Sequence, residues 1–202
     1  LHESLRRTLG KHVTQKGSLV SPDRLRFDFS HNKPIGKEEM TKINKVVNNI
    51  VEGSSDVQTR IMTPKEAVDN GALALFGEKY GDEVRVLSMG EEKDKYFSTE
   101  LCGVTHVSNT SKIGRFKIIS QSSISSGVRR VEAVRAEQLV EYEKNLKQTQ
   151  STKENKLNEE ITTIKKALEE LKIKPNYSNG LSAAENLKNL SKQLDQANLK
   201  NI

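Results

Sequence analysis

GVRRVEAVRAEQLVEYEK, residues 127–144, is where the chain changes its period. Up to Val134 the residues read as a β-strand. After Val134 the strand signals stop, and the remaining residues follow a helical repeat. The stretch therefore divides the chain into a mixed α and β part and a helical part, expected at 1–135 and 136–202.

Upstream of this point helix and strand signals alternate. LHESLRRTLGKH (1–12) predicts a helix ending near Gly10, and RLRFDFS (24–30) sets Leu25, Phe27 and Phe29 on one face of a half-buried strand. KEEMTKINKVVNNIVEG (37–53) places Ile43, Val46, Val47 and Ile50 on one helical face. Thr63-Pro64-Lys65-Glu66 joins an N-cap, a proline at the first helical position and a capping-box glutamate, so a further helix starts there. EVRVLSM (83–89) and GRFKIIS (114–120) add strands. The first part is thus predicted to be a compact α+β domain.

Downstream, Leu157, Ile161, Ile164, Leu168 and Leu171 repeat at spacings of 4, 3, 4 and 3, the seam of a coiled coil. Gln150 and Lys153 fall on the same stripe, so the helix is expected to be frayed or exposed there. KPNYSNG (174–180) breaks it. Ser182 and Glu185 make a second capping box, and Leu187, Leu190, Leu194 and Ala197 form a second stripe. The economical fold is a long helical hairpin or coiled-coil arm, about 57 Å long if 136–173 is one helix at 1.5 Å per residue. The rival is a homodimer formed through the same seam.

Composition agrees with this division. A hydrophobic content of 34% beside 30% charged residues, with no tryptophan, is low for one packed unit. A single cysteine excludes an intramolecular disulfide, and no apolar run approaches a membrane span, so the sequence reads as a cytoplasmic protein with no membrane partner. The net charge is +6; 11 lysines against 10 acidic residues from Ala136 onward leave +5 for the first 135. All ten arginines precede residue 136, which makes the front part either the nucleic-acid face or an ordinary basic surface.

The cysteine stands in Cys102-Gly103-Val104-Thr105-His106. Thiolate and imidazole both suit zinc, and their spacing allows one ion to be shared across a turn; the other reading is a buried small hydrophobe. Longer strings add to this: HVTQKGSLV (12–20), RLRFDFSH (24–31), GALALFGEKYGDEVRVLSMG (71–90), FSTELCGVTHVSNTSKIG (97–114) and GVRRVEAV (127–134). Together and in this order they resemble the editing domain of the alanyl-tRNA synthetases over nearly all of 1–135, with the later helices resembling the start of that family's C-terminal region in composition and position only.

The resemblance implies a C-terminal fragment of such an enzyme: most of an editing domain, truncated at its N-terminus, plus a helical arm. The parent enzyme attaches alanine to tRNA(Ala) using ATP, and no aminoacylating domain is expected here. The editing part would hydrolyse seryl- or glycyl-tRNA(Ala), because a pocket built for alanine discriminates weakly against one hydroxyl or one missing methyl group. Zinc in this family is held by an HxxxH motif and the CxxxH pair. Cys102 and His106 match the pair, and a histidine just after HxxxH aligns with His2, which puts both HxxxH ligands before Leu1. Gln15 matches the editing glutamine, whose amide can bond the serine hydroxyl or the terminal ribose. Arg129 and Arg130 match an arginine pair near the pocket; strand alternation sends them to opposite faces, so at most one reaches the tRNA acceptor end. His12 and His31 are read as structural, His2 as an ordinary residue of the first helix, and 1–7 as frayed.

The sequence departs from the family pattern at Val104 for glycine, at the insertion EEKDKY (91–96), read as a charged loop tip, and at Asn109 and Ser111 for arginine and glycine. The alternatives are a free-standing trans-editing deacylase and a non-catalytic module that binds tRNA and dimerises.

Overall fold

The computed structural model describes residues 1–73, 81–92, 95–103 and 105–200. They form two units, Leu1–Glu141 and Tyr142–Ile202. In the first, α1 (His2–Leu9), β1 (Gln15–Val20), β2 (Leu25–Ser30), α2 (Lys37–Glu52), β3 (Gln58–Met62), α3 (Pro64–Asp69), β4 (Val84–Glu92), β5 (Lys95–Leu101), β6 (Phe116–Ser125) and β7 (Val128–Arg135) follow in order. One antiparallel sheet has the order β1-β2-β7-β6, the other β3-β4-β5. The α+β class expected from the sequence is observed.

Phe27 and Phe29 of β2 and Val131 and Ala133 of β7 face a core closed by Leu5 of α1 and Ile43, Val47 and Val51 of α2. The inward stripe of α2 ends on Val51; Val46 and Ile50 are half-buried at its margins. Two asparagines on α2 satisfy the open edge of the larger sheet. Asn44 Oδ1 accepts from the Ile118 amide at 2.8 Å, and Asn48 Oδ1 accepts from the Phe116 amide at 2.9 Å. The unpaired amides of an edge strand are thereby spent inside the domain.

The first helix differs from the expectation of fraying. α1 is formed from His2 and ends at Gly10, whose φ of 125° lies in the region glycine tolerates. It joins the two sheets. Leu5 lies in the core beside Phe27, while the Arg7 guanidinium stacks over the Phe97 ring at 4.3 Å and donates to the Phe97 carbonyl at 3.2 Å. Tertiary packing supplies what an isolated short helix lacks.

The capping box at Thr63 is present: Thr63 Oγ1 accepts from the Glu66 amide, and Glu66 Oε2 accepts from the Thr63 amide at 2.9 Å. The insertion at 91–96 extends a hairpin, with Glu91 paired to Tyr96 and Glu92 to Lys95; residues 93–94 lie outside the described residues.

The second unit holds most of α4 (Ala136–Glu170) and all of α5 (Ala183–Lys200). α4 runs for 35 residues without a break, and Gln150 and Lys153 are exposed on an intact helix. Ile161, Ile164 and Leu168 pack against Leu187, Leu190 and Leu194, so the seam is closed within the chain as a hairpin. Two amides on α5 hold the connection. Asn186 accepts from the Ser178 amide and donates to the Ser178 and Leu181 carbonyls; Gln193 accepts from the Asn176 amide and donates to the Lys174 carbonyl. Among the described residues no helix is long and apolar enough to cross a membrane.

Candidate functional site

Side chains directly opposite in an antiparallel sheet share a face. Gln15 pairs with Phe29, and Phe29 with Arg129, so Gln15 and Arg129 lie on one row across β1, β2 and β7. A bulge between Gln15 and Gly17 sets the start of β1 apart from the regular ladder. Gln15 Nε2 donates to Ser18 Oγ at 3.1 Å.

Asp28 and Arg130 are opposite one another on the other face. Arg130 Nε and Nη2 donate to the two Asp28 carboxylate oxygens at 2.6 and 2.7 Å, a bidentate clamp between residues 102 positions apart. Arg130's hydrogen bonds, outweighing the upward push of burial, hold the Asp28 carboxyl below the usual range. Gly17 lies over this pair: a Cβ there would stand 3.5 Å from Asp28 Oδ2.

The two adjacent arginines are therefore unlike. Arg130 is neutralised by Asp28. Arg129 has no ion-pair partner among the described residues; its Nη2 donates to Gln121 Oε1 at 3.2 Å, and its Nε is buried without a hydrogen bond. Gln121 in turn is fastened to the Ile35 backbone ahead of α2 by bonds of 2.8 Å in both directions.

Cys102 and His106 come after β5, the last strand of the second sheet. Cys102 follows β5, its amide donating to the Arg85 carbonyl at 3.1 Å; both residues are half-buried, and Cys102 is a free thiol. Their donor atoms suit zinc in kind. Among the described residues, however, no group of three or more histidine, cysteine, aspartate or glutamate side chains could hold a metal ion. The pair supplies two donors of a tetrahedral set and does not by itself make a site. Val104, between them, lies outside the described residues.

The strand that leads to Cys102 is tied to α1 through Glu100. His2 Nδ1 lies 3.1 Å from Glu100 Oε2, and Ser98 Oγ donates to Glu100 Oε1 at 2.6 Å. Burial pushes the Glu100 carboxyl up, but the bond and charge of His2 with the Ser98 bond outweigh it, and the group stays below its ordinary value. His2 is buried and tilts on Phe27 at 5.6 Å, so the ordinary helix residue anticipated from the sequence bridges both sheets.

Sequence reasoning missed two further pairs. Asp28 stands at a polar position of the RLRFDFS alternation, yet it is buried, and only its partner across the sheet explains why. His12 and His31 were assigned no joint role; their rings meet with Nε2 and Nδ1 2.9 Å apart. Neither pair has a local spacing that would reveal it.

Residues 84–132 match the family model described as the threonyl and alanyl tRNA synthetase second additional domain. The chain is 56% identical over 140 residues to an alanine–tRNA ligase of Parvibaculum lavamentivorans, covering 68% of the chain and 16% of that protein. It is 50% identical over 179 residues to the corresponding ligase of Granulibacter bethesdensis, covering 85% and 20%, and 54% identical over 142 residues to that of Clostridioides difficile, covering 70% and 16%. The matched stretch thus spans between 16% and 20% of the length of these relatives.

Proposed function

Since the chain belongs to the alanine–tRNA ligase family, matching a limited stretch of its members, we propose that this stretch proofreads: it hydrolyses the ester joining serine or glycine to tRNA(Ala). The identity of 50 to 56% to alanine–tRNA ligases, with the family match at 84–132 inside it, is the observation that carries the reading. In the parent enzymes the hydrolytic site would act on products of a separate activation site that uses ATP, sorting what a small apolar pocket cannot.

The residues divide the work as follows. Gln15 offers an amide at the irregular start of β1, where it can exchange its Ser18 bond for one to a seryl hydroxyl or a terminal ribose. Arg129, on the same row and uncompensated, contacts the acceptor end of the tRNA, and Arg130 keeps the row in register through Asp28. Cys102 and His106 are the donors that would hold zinc together with ligands from outside the described residues. Bound zinc would supply a positive centre for carbonyl, water or substrate amine.

The deciding experiment is the rate of seryl-tRNA(Ala) hydrolysis by this chain with zinc supplied, with alanyl-tRNA(Ala) as the control. Hydrolysis of the seryl ester alone, reduced on Gln15→Ala and Arg129→Ala substitution, supports the reading. Folded protein that binds the tRNA and hydrolyses neither ester overturns it in favour of a tRNA-binding module.

A further inference from the structure

The end of the larger sheet that carries Arg129 also carries a pair of histidines for which the editing reading has no use. His12 Nε2 and His31 Nδ1 are 2.9 Å apart, with ring centroids at 5.2 Å and planes 20° apart. The centroid separation exceeds the nitrogen separation by about two ring radii, so the nitrogens point along one line at each other. That is the geometry of a shared N–H···N proton; two lone pairs converging on an ion would draw the centroids closer. His31 is anchored by its amide donating to the Gly127 carbonyl at 2.9 Å, beside the β6–β7 turn that leads to Arg129. His12 and Lys33 are exposed.

The charges around this pair are nearly all of one sign. Arg129 from β7, Lys33 from the loop after β2 and His12 all act against a proton on His31, and only Glu39 of α2 favours one. Glu39 is itself engaged, its Oε2 accepting from the Gly36 amide at 2.8 Å. Arg129 has a buried Nε without a partner, and Gln121 links its guanidinium to the start of α2, whose N-terminal dipole is also positive. With Arg129, Lys33 and the two imidazoles set against the single carboxylate of Glu39, the cluster is left with excess positive charge that an anion from elsewhere can offset.

We propose that His12, His31, Arg129 and Lys33 form a phosphate-contacting site for the acceptor strand of a tRNA, and that the histidine pair takes up a proton when the phosphodiester binds. The proposal rests on the tRNA-binding part of the function above and deepens it. Burial and the neighbouring cations hold His31 below the ordinary histidine value in the free protein. A phosphate set between Arg129 and Lys33 offsets the cations and reverses that bias. One added proton goes to an outer ring nitrogen and leaves the bridging bond intact; another would set two N–H groups against each other, so uptake stops at one.

The test is binding of a short RNA hairpin, an acceptor stem ending in single-stranded CCA, to the full chain from pH 8 to pH 5.5 at fixed salt. The wild type gains affinity as pH falls, up to about tenfold per pH unit where a whole proton is taken up. Calorimetry in two buffers of different ionisation heat reads the same proton without any mutation. His31→Asn, checked for folding by its melt, binds with a flat pH profile. RNA binding that is independent of pH, with no proton taken up, overturns the inference and leaves the proposed function standing. If the hairpin does not bind, the tRNA reading fails, and the imidazole resonances titrated with inorganic phosphate decide the inference alone: a raised His31 midpoint supports it, and an unmoved one rejects it.

Discussion

The unit Leu1–Glu141 and the unit Tyr142–Ile202 hold themselves together over different distances along the chain. In the first, the deciding contacts join residues far apart: Asp28 to Arg130 and His2 to Glu100 are separated by 102 and 98 positions. In the second, Asn186 reaches Ser178 over 8 positions and Gln193 reaches Lys174 over 19. A local fold is announced by its own periodicity. A fold made of distant pairings pays a larger loop-closure entropy before any contact forms, and its sequence carries that information in fragments.

The sharpest break of this comparison comes from the core of the first unit. Phe29 is fully buried beneath α1 and α2, and Phe29→Ala is expected to cost about 3–5 kcal/mol. Denaturant unfolding followed by amide signals should show the sheets melting early while α5 melts at its wild-type midpoint. Simultaneous loss of both would mean that the two units share one transition. The counterpart is Leu168→Ala in the hairpin seam, at about 2–4 kcal/mol, with hydrogen exchange accelerated in α5 and unchanged in β2 and β7.

Asn186→Ala tests whether the connection needs its amide clamp. The side chain is fully buried and makes three bonds to loop backbone, so about 2 kcal/mol is expected, read as faster exchange at Ser178. Unchanged exchange would reduce the clamp to a packing contact.

A milder effect separates the units by pH. All four histidines precede residue 107. The folded His31 binds its proton less readily than the unfolded one, so the unfolded state takes up more protons as pH falls below about 6.5. The first unit should lose stability in that window, with a further loss at much lower pH, where the depressed Asp28 carboxyl protonates and releases Arg130. The melting midpoint of the helical unit should stay level from pH 8 to pH 5; a matching decline there would contradict the assignment. The smallest change is expected from Val20→Lys on edge strand β1, where Val20 is 79% exposed: within about 0.5 kcal/mol in a thermal melt.

What was legible in the sequence follows the same division. Leu25, Phe27 and Phe29 announced β2, and the stripe around Ile161 and Leu168 announced the arm, because burial on one face imposes a period. β1, β3 and β5 carried no such signal. Each is an outer strand of its sheet, β5 flanked on its far side only by the single bridge from Leu73 to Glu100, and β1 and β3 are exposed for most of their length. Backbone pairing holds them, and backbone pairing has no residue code. The candidate site shows the same limit. Cys102 and His106 stood out by their own spacing, Gln15 and the two arginines only through strings resembling a family, and strand alternation placed Arg129 and Arg130 on opposite faces.

By itself, then, the sequence determined the α+β class, the helical hairpin, the capped helix starts and the family, each of which rests on neighbours within a few turns or on ordered strings. Tertiary structure alone decided that Arg130 is spent on Asp28 while Arg129 stays uncompensated, that His12 and His31 share one hydrogen bond, and that His2 ties α1 to Glu100. Charge and proton affinity depend on which groups lie within a few ångströms, and in a sheet whose register joins residues a hundred positions apart those neighbours exist only once the chain has folded.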